Sequence, residues 1–328
     1  MSKPLLLVTF EASPDARSVI ESAVGDVGTV TYLADQTSED RQKALSAAAV
    51  LLSRNTAKEL EDGEVRFLSD LRLVQYVSAG IDFIPLKQFS SAAAIAANGG
   101  GYAEPMAEHA LMMALAAYKR LLIEHRKLEA GEFDQFRSNR MLAGATCGVL
   151  GFGGIGKATA KLMRSVGMKI HAVNRSGKSD EPVDWIGTEN DLSQLLANSD
   201  VLVLSLPLTP STDGLLGRAE LETMKADAVL INLARGEILN EGELYTHLQN
   251  RPDFTACIDA WWIEPVRHGE FRMDHDFMAL PNVIASPHNS ATVSGWRNVA
   301  LRRAVENACI ALRGGTPNFL VPPEDRMM

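Results

Sequence analysis

Short apolar runs alternate with helix-like segments along nearly the whole chain. Runs of this length without charged residues are typical of strands buried on both faces, and helical connections between them are typical of a parallel sheet. The first series of runs comprises 5–10, 30–33, 48–53, 73–77 and 93–97. Ser13 followed by Pro14 is a helix-start pattern after the first run. The first 97 residues are therefore predicted to form one βα-repeat domain.

A helical segment separates this series from a second one. Three glycines at 99–101 suit a hinge, and the Ala-, Leu- and Met-rich segment 105–129 predicts one long helix or two joined helices. Its apolar pairs at 112–113 and 121–122 are interpreted as core, with a dimer-forming helix as the alternative. The apolar spacing of 293–312 predicts a last helix.

The second series predicts a doubly wound sheet of six strands. Its apolar runs are 146–150, 169–173, 201–204, 228–233, 255–258 and 283–285. Directly after the first of them comes a G-x-G-x-x-G motif formed by Gly151, Gly153 and Gly156, and a helix-like segment with Ala158, Leu162 and Val166 on one face follows. In this position the glycines allow a tight turn and a close approach of the backbone to a pyrophosphate, which the helix N-terminus attracts. The motif therefore predicts a dinucleotide site, with Gly154 and Ile155 in the same turn.

The end of the next run bears on the choice of cofactor. An enzyme that uses NAD usually has an acidic residue there, which binds the ribose 2'-hydroxyl. This chain has Asn174, Arg175 and Ser176, followed by Lys178. These donors favour a 2'-phosphate, so NADP is the predicted cofactor and NAD remains possible; the alternative is that Arg175 and Lys178 are solvated loop charges.

Composition excludes several other classes of function. The net charge is −9, and no basic run could follow a phosphate backbone, so nucleic acid and membrane surfaces are poor candidate partners. Cys147, Cys257 and Cys309 have neither disulfide nor metal-site spacing, which indicates reduced thiols in a cytoplasmic protein. No H-x-x-x-H or C-x-x-C motif occurs, so no metal site is predicted.

Six further motifs occur in a characteristic order, and on them the chain resembles the D-isomer-specific 2-hydroxyacid dehydrogenases. The matching segments are 77–82, Asn98 with 107–109, 206–209, 232–236, 259–265 and 286–288. The resemblance implies a Rossmann cofactor domain over 98–289 and a flavodoxin-like substrate domain over 1–97 and 290–328. It also implies an oxidoreductase that transfers a hydride between a nicotinamide dinucleotide and a small 2-keto or 2-hydroxy acid, of the glyoxylate or hydroxypyruvate type, and a homodimer.

The chemistry of keto-acid reduction and the positions of polar residues after the predicted strands give candidate roles to individual residues. His288 would be the proton donor, Glu264 would orient its ring, and Arg235 would bind the keto acid. The resemblance implies that the backbone at Ala79 and Gly80 would hold the substrate carboxylate, and Arg54, at the end of the third run, is a further candidate. The remaining predicted cofactor contacts are Leu206, Pro207, Thr209, Leu233 and Asp259.

Other interpretations stay open. Arg235 could be a surface ion-pair partner, and the segments at Glu264 and His288 could be plain turns. Trp261 and Trp262 depart from the family pattern and could line the substrate pocket, whereas His109 is interpreted as an interdomain packing residue. A corepressor-like nucleotide-sensing protein, or a formate or phosphonate dehydrogenase on the same scaffold, is the alternative function.

Overall fold

The computed structural model describes residues 3–90 and 93–328. The chain divides into two compact units, of which the first extends to Tyr102 and resumes over Val293–Met328, and the second is Ala103–Thr292. The chain thus leaves the first unit once and returns to it with its last long helix. Assignment of the two units to substrate and cofactor binding stays a prediction.

The first unit is a parallel sheet covered by helices. Its strands are β1 (Leu5–Val8), β2 (Thr29–Tyr32), β3 (Ala48–Ser53), β4 (Leu73–Tyr76) and β5 (Ala94–Ala96). Their order, β2-β1-β3-β4-β5, is the flavodoxin-like order, which confirms the predicted fold of this unit. Its helices are α1 (Pro14–Val24), α2 (Ser38–Ala47), α3 (Thr56–Glu59) and, from the C-terminal segment, the helix Trp296–Leu312.

The C-terminal helix completes the core of the first unit. Ile20 of α1 and Leu301, Val305 and Ala308 of the helix Trp296–Leu312 share one apolar cluster with Leu52 of β3. The predicted start of α1 is also found, because the Ser13 side chain accepts a hydrogen bond from the Ala16 backbone. The glycines that suggested a hinge are closely packed: a side chain on Gly99 would meet the Phe319 ring, and the Trp296 indole donates to the Gly101 carbonyl at 2.9 Å.

The second unit is a doubly wound parallel sheet with seven strands among the described residues, one more than predicted. The strands are β6 (Thr146–Leu150), β7 (Lys169–Val173), β8 (Trp185–Gly187), β9 (Val201–Leu204), β10 (Val229–Asn232), β11 (Thr255–Ile258) and β12 (Val283–Ala285). Their order is β12-β11-β10-β9-β6-β7-β8, and the missed strand is β8, a short edge strand. The order reverses between β6 and β9, which is where open sheets of this kind bind ligands.

Helices cover this second sheet. They are α4 (Ala103–Tyr118), α5 (Leu121–Glu129), α6 (Gly154–Ser165), α7 (Leu192–Asn198), α8 (Arg218–Thr223), α9 (Glu241–Asn250) and α10 (Pro265–His268), and the C-terminal helix of the first unit is therefore α11. The segment predicted as one or two helices is two, α4 and α5. Along α6 the fully buried side chains are Thr159, Ala160 and Met163, whereas the predicted face is only half-buried.

The predicted core pairs on α4 and α5 were mostly wrong. Met113 is fully buried, but Met112, Leu121 and Leu122 are exposed. Among the described residues, no helix combines the length and the apolar character that crossing a membrane requires.

Candidate active site

The glycine-rich turn lies at the point where the strand order of the second sheet reverses. Gly151 has a φ of +95°, and a Cβ on it would lie 2.6 Å from the Leu206 backbone nitrogen in the loop after β9. A Cβ on Gly156 would lie 2.3 Å from the Gly151 carbonyl, whereas one on Gly153 meets nothing within 4 Å. The first and third glycines therefore close the turn, and the second leaves open space at the N-terminus of α6, as a bound pyrophosphate requires.

The loop after β7 is organised by Asn174. Its side-chain oxygen accepts hydrogen bonds from the backbone nitrogens of Ser176 (3.1 Å) and Gly177 (2.8 Å), and its amide donates to the Lys178 carbonyl at 2.8 Å. Asn174 thus builds the turn, whereas Arg175, Ser176 and Lys178 are exposed on it. No acidic side chain occupies the last position of β7 or the four that follow it, and the predicted preference for NADP, which rests on this absence, stays a prediction.

The other predicted cofactor residues differ in what they present. Ile155 and Leu206 are half-buried and Pro207 is exposed, so their surfaces are accessible. Thr209 and Leu233 are buried, and the Thr209 hydroxyl bonds to Ser211 (3.0 Å) and Thr212 (3.1 Å) in its own loop. The direct contact of these residues with a cofactor stays a prediction.

His288 and Glu264 form a hydrogen-bonded pair after β12 and β11. The His288 Nδ1 lies 2.8 Å and 2.7 Å from the two Glu264 carboxylate oxygens. A carboxylate can only accept, so Nδ1 carries the hydrogen and Nε2 is the ring nitrogen left for chemistry. Glu264 is buried, and its Oε1 also accepts the Trp261 backbone N–H at 2.7 Å. This direct contact supports the prediction that Glu264 orients the His288 ring.

The electrostatic balance at Glu264 favours the ionised form. Burial alone would raise the pKa of this carboxyl, but the hydrogen bond and charge of His288, the Trp261 N–H and the charge of Arg235 together lower it below its ordinary value. Arg235 thus acts on the pair electrostatically from the loop after β10. The three predicted catalytic residues come from three consecutive parallel strands, whose carboxyl ends meet at one edge of the sheet.

A close backbone approach brings the loops after β10 and β11 together. A Cβ on Gly236 would lie 2.4 Å from the backbone of both Trp261 and Trp262, so only glycine fits after Arg235. The Trp262 indole donates to the Leu239 carbonyl at 2.8 Å. Arg267 on α10 adds a bidentate ion pair with Glu237, with N–O distances of 2.7 Å and 3.0 Å. These contacts fix the position of the Arg235 backbone relative to Glu264.

Asp259, predicted as a cofactor contact, instead binds the segment that carries His288. It is fully buried, and its carboxylate accepts from the Ser286 hydroxyl (2.5 Å) and from the backbone nitrogens of Asn289 (3.1 Å) and Ser290 (3.3 Å). Its carbonyl accepts the His288 N–H at 2.9 Å. The carboxylate and the carbonyl of Asp259 thus accept hydrogen bonds from within the protein, and a contact between Asp259 and the cofactor stays a prediction.

Trp261 packs inside the protein, whereas Trp262 is only half-buried. Trp261 is buried, and its indole donates to the Ser286 carbonyl at 2.9 Å. Trp262 is half-buried and stacks on Phe277 with ring centroids 5.4 Å apart. The idea that both tryptophans line the substrate pocket was therefore wrong for Trp261. The pairing of an indole with the His288 segment could not be recognised from sequence, because it joins residues 25 positions apart.

The predicted substrate residues lie in the first unit. Ala79 and Gly80 follow β4 and are half-buried. Arg54 follows β3, is exposed, and lies over the Phe10 ring with its guanidinium carbon 4.2 Å from the centroid. Glu59 organises this strand end, because its carboxylate accepts from the Ser53 hydroxyl at 2.6 Å and the Asn55 backbone at 2.9 Å. Substrate binding by these residues stays a prediction.

Comparison with known proteins identifies the family. The sequence profile of the NAD binding domain of D-isomer specific 2-hydroxyacid dehydrogenases matches residues 111–290, more than half of the chain. The glyoxylate reductase of Aeropyrum pernix is 30% identical over 263 residues, which are 77% of each protein. The chain therefore belongs to the D-isomer specific 2-hydroxyacid dehydrogenase family, as its motifs predicted. This membership confirms the predicted family, whose relatives include proteins named glyoxylate reductase, hydroxypyruvate reductase and glycerate dehydrogenase.

Two further proteins are similar over most of this chain. The D-3-phosphoglycerate dehydrogenase of Methanocaldococcus jannaschii is 29% identical over 313 residues, which are 94% of this chain but 57% of that protein. The chain thus spans little more than half the length of that relative. The solved structure of a glycerate dehydrogenase related protein from Thermoplasma acidophilum has 26% identity and a TM-score of 0.65, covering 93% of this chain and 98% of that one.

Proposed function

We propose that this protein reduces a small 2-keto acid of the glyoxylate or hydroxypyruvate type, with NADPH as its preferred cofactor. The observation that carries the proposal is the His288–Glu264 pair at 2.7 Å beside the charge of Arg235. Reduction of a keto acid needs a proton donor and a cation for the carboxylate, and this edge of the sheet offers both. Relatives named glyoxylate reductase and hydroxypyruvate reductase support the substrate class.

The residues take complementary roles in this proposal. Arg235 binds the substrate carboxylate through its planar, permanently charged guanidinium group. Glu264 holds the Nδ1 hydrogen of His288, so the proton that the substrate oxygen receives comes from Nε2. NADPH, when bound at the turn of Gly151, Gly153 and Gly156, supplies the hydride. Arg54, Ala79 and Gly80 are proposed as further substrate contacts.

The activity is tested with purified protein, NADPH and glyoxylate or hydroxypyruvate. His288→Ala should lower kcat by about a hundredfold or more, the usual contribution of a positioned acid, with little change in NADPH affinity. His125→Ala is the matched control, because His125 is exposed on α5. Near-normal kcat in His288→Ala would remove this residue from the mechanism. Negligible turnover of both keto acids by the wild type would favour the corepressor-like alternative.

The cofactor preference rests on Asn174, Arg175, Ser176 and Lys178 in place of an acidic residue. An acidic side chain would repel a 2'-phosphate, whereas Arg175 can bind it through charge-assisted hydrogen bonds. We expect kcat/KM with NADPH to exceed that with NADH by roughly ten- to a hundredfold. Arg175→Ala should raise the KM for NADPH and leave NADH nearly unaffected, with exposed Arg218→Ala as control. Equal losses with both cofactors, or a wild type that prefers NADH, would contradict the preference.

We also propose a homodimer formed through an apolar surface on the second unit. Its exposed side chains are Leu121, Leu128, Phe133, Phe136 and Met141, with Phe136 86% exposed. A second copy would cover the same surface, as in a two-fold symmetric dimer. Light scattering should give twice the chain mass for the wild type and the chain mass for Phe136→Asp. Val266→Asp, at a similarly exposed position, should stay dimeric; a monomeric wild type contradicts the proposal.

The three cysteines support a cytoplasmic location in this proposal. Cys147, Cys257 and Cys309 are unpaired and buried, as expected of a protein kept in a reducing compartment.

A further inference from the structure

Residues 258–261 form several hydrogen bonds with the segment 286–290. The Ile258 carbonyl accepts the Ser286 N–H, and the Asp259 carbonyl accepts the His288 N–H, each at 2.9 Å. The Asp259 carboxylate and the Trp261 indole bind the rest of the segment, as described above. His288 has a φ of +48°, a conformation that a residue with a side chain adopts only when its surroundings impose it. The orientation of the His288 ring therefore depends on how firmly this segment is held.

One contact to this segment comes from a different element. The His109 Nε2, on α4, lies 3.0 Å from the Ser286 hydroxyl oxygen and 3.8 Å from Asp259 Oδ1. The Ser286 hydroxyl has a single hydrogen, and the 2.5 Å contact gives that hydrogen to the Asp259 carboxylate. The Ser286 oxygen can then only accept from His109, so Nε2 of His109 carries a hydrogen and donates it.

The chain of donors has one direction, from His109 to Ser286 to Asp259. Donation to a hydroxyl oxygen polarises its O–H group and strengthens the bond that this group donates in turn. The recipient, Asp259, is 0% exposed and holds the backbone on both sides of the His288 side chain. His109 on α4 is thereby connected, through Ser286 and Asp259, to the backbone that carries the proposed proton donor.

We propose that His109 is a positioning residue for the proton donor. By donating from Nε2 to Ser286, it fixes the Ser286–Asp259 hydrogen bond and thereby the backbone conformation that holds the His288 ring against Glu264. This differs from the sequence interpretation of His109 as an interdomain packing residue. The kinetic consequence rests on the proposed function, whereas the structural consequence is measurable in the protein without substrate or cofactor.

The test compares variants that keep or remove the donor. In His109→Gln the side-chain amide nitrogen lies about as far from the backbone as Nε2 does, so the donor is kept while the imidazole is removed. In His109→Leu the volume is largely kept and the donor is lost. Ser286→Ala removes the acceptor and should reproduce the effect of His109→Leu, and His125→Leu on α5 is the matched control.

The decisive readout is the NMR signal of the His288 Nδ1 hydrogen in the protein labelled with ¹⁵N-histidine, without ligands. The chain has seven histidines, and His288→Gln assigns the signal by its loss. We expect the signal to shift or broaden in His109→Leu and Ser286→Ala, and to stay unchanged in His109→Gln and His125→Leu. An unchanged signal in His109→Leu, or an equal change in His109→Gln, overturns the proposal.

Kinetics provide the second readout. We expect His109→Leu to lower kcat about tenfold or more with little change in the KM for NADPH, and His109→Gln to restore most of it. The double variant His109→Leu with Ser286→Ala should lose no more than either single variant, since both break one chain of contacts. Additive losses overturn the proposal. Should His109→Leu fail to fold, Ser286→Ala supplies the same comparison.

If the wild type turns over neither keto acid, the proposed function is wrong. The NMR comparison still decides the role of His109, because it needs no substrate.

Discussion

At Glu264, burial and hydrogen bonding act on one carboxyl group in opposite directions. Burial raises its pKa, and the hydrogen bond with His288, the Trp261 N–H and the charge of Arg235 lower it by more. A group whose pKa is depressed in the folded state stabilises that state above its ordinary pKa, and the contribution is lost as the pH falls through the depressed value. The pair that orients the proton donor is therefore also a source of stability near neutral pH.

Replacement of Glu264 by glutamine tests this balance. At about pH 7, Glu264→Gln should have a lower free energy of unfolding than the wild type, and the difference should shrink as the pH falls below the ordinary range of glutamate. Urea unfolding of both proteins at several pH values measures the difference, and Glu132→Gln, at an exposed position, is the control. A difference that stays constant down to about pH 3 would show that the charge of Glu264 contributes nothing to stability.

The identities of the chemical residues were predictable from sequence, but the residues that hold them were not. Arg235, Glu264 and His288 follow apolar runs, and that placement is visible without a structure. The left-handed backbone of His288 and the contact of His109 with Ser286 depend on pairs far apart in the chain. No local pattern encodes such pairs, because tertiary packing alone brings them together.

Among the elements, the presence of an uninterrupted apolar run decided which strands the sequence could predict. Ten of the twelve strands among the described residues begin and end within a residue of the predicted runs. The missed strand, Trp185–Gly187, follows Asp184 and ends in a glycine, so its apolar run has only two residues, whereas the equally short β5 and β12 consist of apolar residues throughout. The loops after β10 and β11 posed a different difficulty, because the Gly236 contact that joins them is a property of two backbones rather than of side-chain character.

Gly236→Ala tests whether this backbone contact positions Arg235. The added methyl group would lie 2.4 Å from the Trp261 and Trp262 backbone, which cannot move aside as a flexible side chain can. Overpacking of this kind lowers the free energy of unfolding by about 1–3 kcal/mol, and displacement of the Arg235 loop should also raise the KM for the keto acid. Unfolding and steady-state kinetics measure the two effects.

Gly242→Ala is the matched control for that variant. The nearest atom to a Cβ at this position belongs to the His275 side chain at 3.3 Å, and the residue lies in the first turn of α9. Alanine should be tolerated there with normal kinetics. If Gly236→Ala behaves like Gly242→Ala, the close approach of the two loops is unimportant for the site.

Over the whole molecule, the alternation of apolar and helical segments was enough to predict two parallel sheets. This alternation did not predict the exact residues at which the chain passes from one unit to the other. The first unit keeps Asn98 to Tyr102, and its C-terminal segment begins at Val293. The Asn98 amide donates to the Val77 and Ala300 carbonyls, each at 2.9 Å, and so binds the glycine-rich segment to the residue after β4 and to α11. Each unit has its own buried core, which permits separate unfolding.

The three buried cysteines make that separation measurable. Cys147 and Cys257 lie on β6 and β11 of the second unit, and Cys309 lies on α11 of the first. Burial raises the pKa of all three thiols, so a thiol reagent should label each one only when the structure around it opens. Variants that retain a single cysteine let each site be followed alone in moderate urea.

NADPH should change these labelling rates unequally. The proposed site lies in the second unit, and a ligand at a hundred times its Kd stabilises the state that binds it by about 2.7 kcal/mol. If each unit unfolds by itself, labelling of Cys147 and Cys257 should slow about a hundredfold, while labelling of Cys309 stays unchanged. Equal protection of all three thiols would show instead that the two units unfold together. No protection at any thiol would show that the second unit does not bind NADPH, since mass action requires a stabilised fold wherever the cofactor binds.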